Sequence, residues 1–161
     1  MAQALGVKYI TSSANVDLCP RINAYAAKSG ITVAMHNHDS MKENEFSTPD
    51  DFARGMLNNP NVRVNLDIGH FAAANFDAVA YLRKMAPYIV AIHLKDRKKN
   101  HGANMPFGEG DTPIRGVLQV LREMKLRIPA MIEYEYQGAD ALAEVRRCYD
   151  YCRKAIEETA G

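Results

Sequence analysis

Short apolar runs alternate along the chain with stretches in which apolar residues recur at three- and four-residue steps, an order that predicts an α/β fold with a parallel sheet. Five runs read as strands: residues 7–13 (VKYITSS), 32–38 (TVAMHNH), 62–70 (VRVNLDIGH), 88–96 (YIVAIHLKD) and 128–135 (IPAMIEYE). Each opens on apolar or β-branched residues and closes on residues that ionise or bind metals. Helical period is carried by Leu18, Ile22 and Tyr25; by Phe52 and Met56; by Phe76, Val79, Leu82 and Met85; by Ile114, Val117, Leu121 and Met124; and by Leu142, Val145, Tyr149, Cys152 and Ile156. The second helix has the clearest start: Ser47 or Thr48 can cap it, Pro49 suits its first turn, and Asp50 and Asp51 complement its positive dipole end. Asn75 or Asp77 opens the third. Residues 97–112 keep no sustained period and read as a long loop, a kind of segment that often carries function.

Composition narrows the function. The chain of 161 residues is 47% hydrophobic and 24% charged, which fits one globular domain over 1–161 and excludes disorder. Twenty Lys and Arg against nineteen Asp and Glu leave a net charge of +1, so the basic excess expected of a nucleic-acid binder is missing. No apolar run is long enough to span a membrane, and the opening MAQALGVKYI lacks a signal-peptide layout. Cys19, Cys148 and Cys152 show no C-x-x-C spacing and read as reduced thiols of a cytoplasmic protein. Cys148 and Cys152 share a helix face with Leu142, Val145 and Ile156 and read as core thiols rather than a metal pair. Arg97, Lys98 and Lys99 form a short basic run that reads as a solvated loop rather than a phosphate holder, with His101 exposed in it.

The chemistry lies at the carboxyl ends of the strands: His36, Asn37 and His38; Asp67 and His70; His93, Lys95 and Asp96; Glu133 and Glu135. That edge carries the active site in α/β barrels and open α/β sheets. Residues two apart on a strand face the same side, so His36/His38, His93/Lys95 and Glu133/Glu135 form three same-side pairs. A buried strand ending in a charge is costly unless the charge finds a partner. Four such ends meeting around a cation satisfy one another. The mixture of imidazole and carboxylate suits Mn²⁺, Zn²⁺, Co²⁺ or Fe²⁺, and less well Mg²⁺.

HNH after an apolar strand, LDIGH, AIHLKD, GEGD and IEYE, in this order and spacing, resemble the xylose-isomerase-like TIM-barrel superfamily. That group includes sugar phosphate isomerases and epimerases, ketose 3-epimerases, inosose dehydratases and metal-dependent apurinic endonucleases. The resemblance implies an α/β fold of parallel (β/α) barrel type, a divalent metal ion (Mn, Zn, Co or Mg) held by Asp67, His93 and Glu133 with His36 as fourth ligand, and His70 near the substrate; His38, on the same side of the strand as His36, is the alternative fourth ligand. The resemblance also implies Lys95 and Glu109 around the substrate pocket. From the strand ends themselves, Glu133 is the catalytic group near the reacting carbon, Glu135 or His70 the proton carrier, and Asn37 and His38 the neighbouring substrate contacts. The sugar 3-epimerases use two metal-bound glutamates as acid and base on opposite faces of the substrate. This chain has His36 at the first of those positions, and Glu43 or Glu45 is available in the following loop.

The leading expectation is a metal-dependent sugar or sugar-phosphate isomerase/epimerase that abstracts a proton next to a metal-polarised carbonyl. A dehydratase acting on an inosose-like ketone uses the same first step. Apurinic endonuclease activity is disfavoured, because the loop RKKNHGANMPFGEGD holds no D-x-H and the net charge is near zero. A complete barrel of this type has eight strands in about 250 residues. Five βα units are present, and AQALGVKYI resembles the tail of a helix leading into a fourth strand, so the barrel is incomplete. Its open edges predict a homodimer or a non-catalytic fragment that assembles with another chain. The expected partner in solution is a small sugar, with neither nucleic acid nor membrane.

Overall fold

A computed structural model describes residues 1–40, 42–138 and 140–158. Five parallel strands form its sheet: β1 (Tyr9–Ser12), β2 (Thr32–His36), β3 (Val62–Asp67), β4 (Ile89–Leu94) and β7 (Ala130–Ile132), in the order β1-β2-β3-β4-β7. The sheet curls as an incomplete (β/α) barrel. Helices α1 (Cys19–Ser29), α2 (Pro49–Met56), α3 (Ile68–Ala73), α4 (Ala78–Met85), α5 (Ile114–Glu123) and α6 (Ala141–Glu158) connect and follow the strands. All five predicted strands are present, each shorter than its sequence pattern.

The apolar residues of the central strands pay for the placement of the polar ones. Val33, Met35, Val62, Val64, Leu66, Ile89, Ile92 and Leu94 are buried with Phe52, Leu82, Ile114 and Val117 of the helices. Thr48 caps α2 through a reciprocal pair: its hydroxyl accepts from the Asp51 backbone N–H and the Asp51 carboxylate accepts from the Thr48 N–H at 2.8 Å. Asp77, rather than Asn75, caps α4.

Five expectations change. The strand drawn to residue 70 ends at Asp67, whose carboxylate accepts from His70 N–H at 2.7 Å and starts α3. Residues 97–112 are not purely loop: β5 (Asp96–Arg97) pairs antiparallel with β6 (Asn104–Met105). Arg97 is not solvated, because this hairpin folds its guanidinium onto Asp39 at 2.6 Å. On α6 the buried face is Cys148, Cys152 and Ala155, while Leu142, Val145, Tyr149 and Ile156 are exposed. Leu18 and Tyr25 are likewise exposed. Tyr25 borders a groove with Ile10 of the edge strand β1, and α6 follows the other edge strand, β7, so among the described residues no further βα unit lies beyond either edge of the sheet.

Candidate metal centre

The parallel register brings the ends of β2, β3 and β4 level: His36 pairs with Asn65, and Asp67 with His93. Glu133 follows β7 directly and its N–H donates to Leu94 O at 2.9 Å, extending the ladder by one bond. His36, Asp67, His93 and Glu133 each present a donor atom, and these atoms lie within 4.8 Å of one another. His93 Nδ1 hydrogen-bonds the Glu133 carboxylate, and His36 Nε2 stands 4.0 Å from Asp67 Oδ2. The amide of Asn65 spans the two imidazoles, 3.4 Å from His36 Nδ1 and 3.2 Å from His93 Nε2.

Burial sets the electrostatics. Desolvation pushes the Asp67 carboxyl up to about 7 against the opposing charge of Lys95. It also holds His36 down at about 3, with the neighbouring His93 and His38 adding to the effect. Glu133 is less buried; its hydrogen bonds to His93 and Lys95 overcome desolvation and keep it well below the usual carboxylate range. His70 is lowered to about 4 by burial and by the charges of Lys95 and Arg97. The His70 imidazole is fixed in orientation: Nδ1 lies 3.0 Å from Asp39 Oδ1 and 2.7 Å from the Arg97 guanidinium, and Nε2 lies 3.0 Å from Lys95 Nζ.

The other predicted site residues separate into those that join the cluster and those that do not. His38 joins it, its ring 4.9 Å from His36 and 5.4 Å from His70. With His36, Glu45 and Phe46 it lines a small cavity, so of the two loop glutamates Glu45 reaches the site and Glu43 is exposed. Glu135 reaches in to Lys95 at 2.8 Å. Asn37 is fully buried and turned away from the cavity: its Oδ1 accepts from Asp67 N–H at 2.9 Å and its Nδ2 donates to Asp67 O at 3.1 Å. Lys95 is buried beneath the carboxylates rather than open to the cavity. Glu109 is exposed, and its carboxylate faces Arg147 at 3.9 Å. The cause is Asp96, which accepts from the N–H groups of Gly108, Gly110 and Thr112 and winds the GEGD loop around itself. A Cβ on Gly110 would lie 2.0 Å from Asp96 Oδ1, which is why glycine stands there.

Sequence reasoning passed over Asn65, Asp39 and the buried role of Arg97. Asn65 carried a signal: it is a lone amide in an apolar strand, two residues before Asp67 and so on the same face.

The residues present fit a divalent cation. The donors are two imidazoles and two carboxylates, and Asp67 Oδ2 is buried with no hydrogen-bond partner. A profile of the family described as xylose isomerase-like TIM barrel matches residues 2–154. The chain belongs to that family. Within the xylose isomerase-like barrels, an L-ribulose-5-phosphate 3-epimerase, UlaE, of Escherichia coli is 32% identical over 129 residues, which is 80% of this chain and 45% of that protein. The chain thus spans about half the length of this curated relative. A xylose isomerase domain protein from Planctomyces limnophilus superposes with a TM-score of 0.78 at 20% identity, over 99% of this chain and 62% of that one. The IOLI protein, solved with a binding zinc atom, gives 0.76 at 17% identity, over 98% and 66%. At these identities the two structures speak to the fold alone. Among the described residues, no helix is long and apolar enough to cross a membrane.

Proposed function

We propose that residues 1–161 form one partial barrel domain that carries the metal site of a sugar or sugar-phosphate isomerase/epimerase acting by proton abstraction beside a carbonyl. The observation that supports this is the convergence of His36, Asp67, His93 and Glu133 at the strand ends, in a chain similar to a ketose-phosphate epimerase. A bound divalent cation supplies a Lewis acid that polarises the carbonyl and acidifies the neighbouring C–H. Two imidazoles among four donors suit Zn²⁺, Co²⁺ or Mn²⁺ better than Mg²⁺.

Glu133 is the base in this reading. Its carboxylate is kept ionised by His93 and Lys95 and lies at the rim of the cluster, where a proton on carbon can reach it. Glu135 or His70, each in contact with Lys95, carries the proton onward. His38, beside His36 in the cavity, orients substrate hydroxyls. The test is solvent exchange. With the metal-loaded chain in D₂O, ketoses and ketose phosphates should gain deuterium on the carbon next to the carbonyl, and Glu133→Gln should abolish the gain. No exchange with any ketose or phosphate would overturn the reading.

One observation favours a second reading. His36 stands where the sugar 3-epimerases of the resembling superfamily carry their first glutamate, which leaves a single ligand carboxylate of the catalytic pair. One-sided proton abstraction followed by loss of hydroxide, as in a dehydratase acting on an inosose-like ketone, needs no second carboxylate. A product lighter by one water distinguishes it.

Two open strand edges remain, and Ile10 on β1 and Met131 on β7 are exposed there. We infer a homodimer that covers them, with a non-catalytic assembly module as the outcome if the dimer shows no turnover. Light scattering that finds only monomer would overturn the dimer. The three cysteines are free and buried, in keeping with a reducing, cytoplasmic setting.

A further inference from the structure

Lys95 places an ammonium group where three carboxylates converge. Its side chain is 1% exposed, and Nζ lies 2.8 Å from Glu135 Oε2, 2.9 Å from Glu133 Oε1 and 3.4 Å from Asp67 Oδ2. His70 Nε2 accepts from it at 3.0 Å. An ammonium has three protons to donate, and Glu135, Glu133 and His70 take them. Asp67 Oδ2 is left over: it is buried and receives charge from Lys95 but no hydrogen bond. One ammonium shared among three carboxyl groups leaves Asp67 Oδ2 without a partner, and that deficit is one a divalent cation makes good.

We propose that Lys95 is the resident counter-cation of the cluster, holding Asp67 and Glu133 together in the metal-free protein and weakening divalent-cation binding by its charge. It is a positioning residue, and it rests on the metal-centre reading above. The geometry supplies what such an exchange requires. When a cation draws on Asp67 and Glu133, the ammonium keeps Glu135 and His70, so it stays paired without leaving its pocket. Glu135 is half exposed, and besides Lys95 its Oε2 has only a long hydrogen bond from Asn104, at 3.4 Å. A positive charge a few ångströms from a divalent ion is strongly repulsive in a medium of intermediate polarity, so the affinity of the native site is set below what its four donors alone would give.

The experiment measures Mn²⁺ and Zn²⁺ binding by titration calorimetry and melting temperature with and without metal, for the wild-type chain, Lys95→Met and Lys95→Gln. Without metal, both variants should melt below the wild type, since the carboxylates lose their partner. Their metal affinity should rise by about tenfold or more, and their gain in melting temperature on metal addition should exceed that of the wild type. The Gln variant keeps a polar head and serves if Met does not fold. Binding by a variant alone supports the proposal in its strongest form. Wild-type binding that is equal to or tighter than both variants overturns the role of Lys95 and leaves the metal centre standing. No binding by any of the three overturns both.

Discussion

Asn37 grips the backbone of Asp67 at both ends, its amide oxygen accepting from the Asp67 N–H and its amide nitrogen donating to the Asp67 carbonyl. The grip joins β2 to β3 at the level of the cluster and fixes the direction of the Asp67 carboxylate. Asn37→Ala strands two buried backbone groups, each costing about 1–3 kcal/mol. The expected result is a loss of about 3 kcal/mol in denaturant unfolding and a fall of about tenfold or more in metal affinity. Unchanged metal affinity in a folded variant would show that the grip has no bearing on the site.

Asp67→Ala and Glu133→Ala each delete one donor of the four. Metal content measured by elemental analysis after dialysis should drop sharply in both. Full stoichiometric metal in both variants would place the site elsewhere.

Thr48→Ala removes the hydroxyl that caps α2, away from the cluster. Stability should fall by about 1 kcal/mol with metal affinity unchanged, which provides a control for variants that destabilise without touching the site. A loss of metal binding here would mean that α2 positions the donors.

Asp39 gives a pH signature. Burial opposes its ionisation, but the hydrogen bond and charge of Arg97, joined by His70, lower its pKa from 3.8 to about 2. A carboxyl depressed by folding stabilises above its unfolded pKa and loses that contribution as pH falls through the folded one. The stability gap between wild type and Asp39→Asn should therefore be full near neutrality and shrink between about pH 4 and pH 2. A gap that holds constant down to pH 2 would exclude the Asp39–Arg97 pairing as its cause.

The thiols should be inert in the native protein. Burial raises all three, Cys19 to about 11 and Cys152 to about 12, and a thiol that is not ionised is a poor nucleophile. Alkylation at neutral pH should label the chain slowly when folded and at three positions when denatured. Rapid labelling of the native chain would mean that α6, which carries Cys148 and Cys152, is not packed as described.

The strands were legible because each combines an apolar run with a terminal polar residue, and that same polar residue marked the site. Helix α3 was hidden for a physical reason: it is only six residues long, Ile68, Gly69, Phe71, Ala72 and Ala73 are all buried, and His70 is its one polar residue, too little to reveal a period. Gly69 is there because a Cβ would come 2.7 Å from the Lys95 carbonyl oxygen, a closeness invisible without β4 alongside. Arg97 looked like part of a solvated cation run, since only the β5–β6 hairpin shows that it folds back onto Asp39. Glu109 resembled a pocket residue by motif, but its direction is decided by the bonds Asp96 accepts from Gly108, Gly110 and Thr112, which no local pattern announces. The helix faces of α1 and α6 were misjudged because apolar periodicity reports what a helix is able to bury and says nothing of whether a neighbour is there to receive it.

The order of the sheet has a further consequence. The four candidate donors come from β2, β3, β4 and β7, which are contiguous in the sheet, and β1 supplies none. The candidate donors are thus concentrated in four adjacent strands, and the strand that frames them on one side contributes none. A stretch of this kind behaves as a cassette: β1 and whatever packs against it can differ in sequence without removing a single candidate ligand.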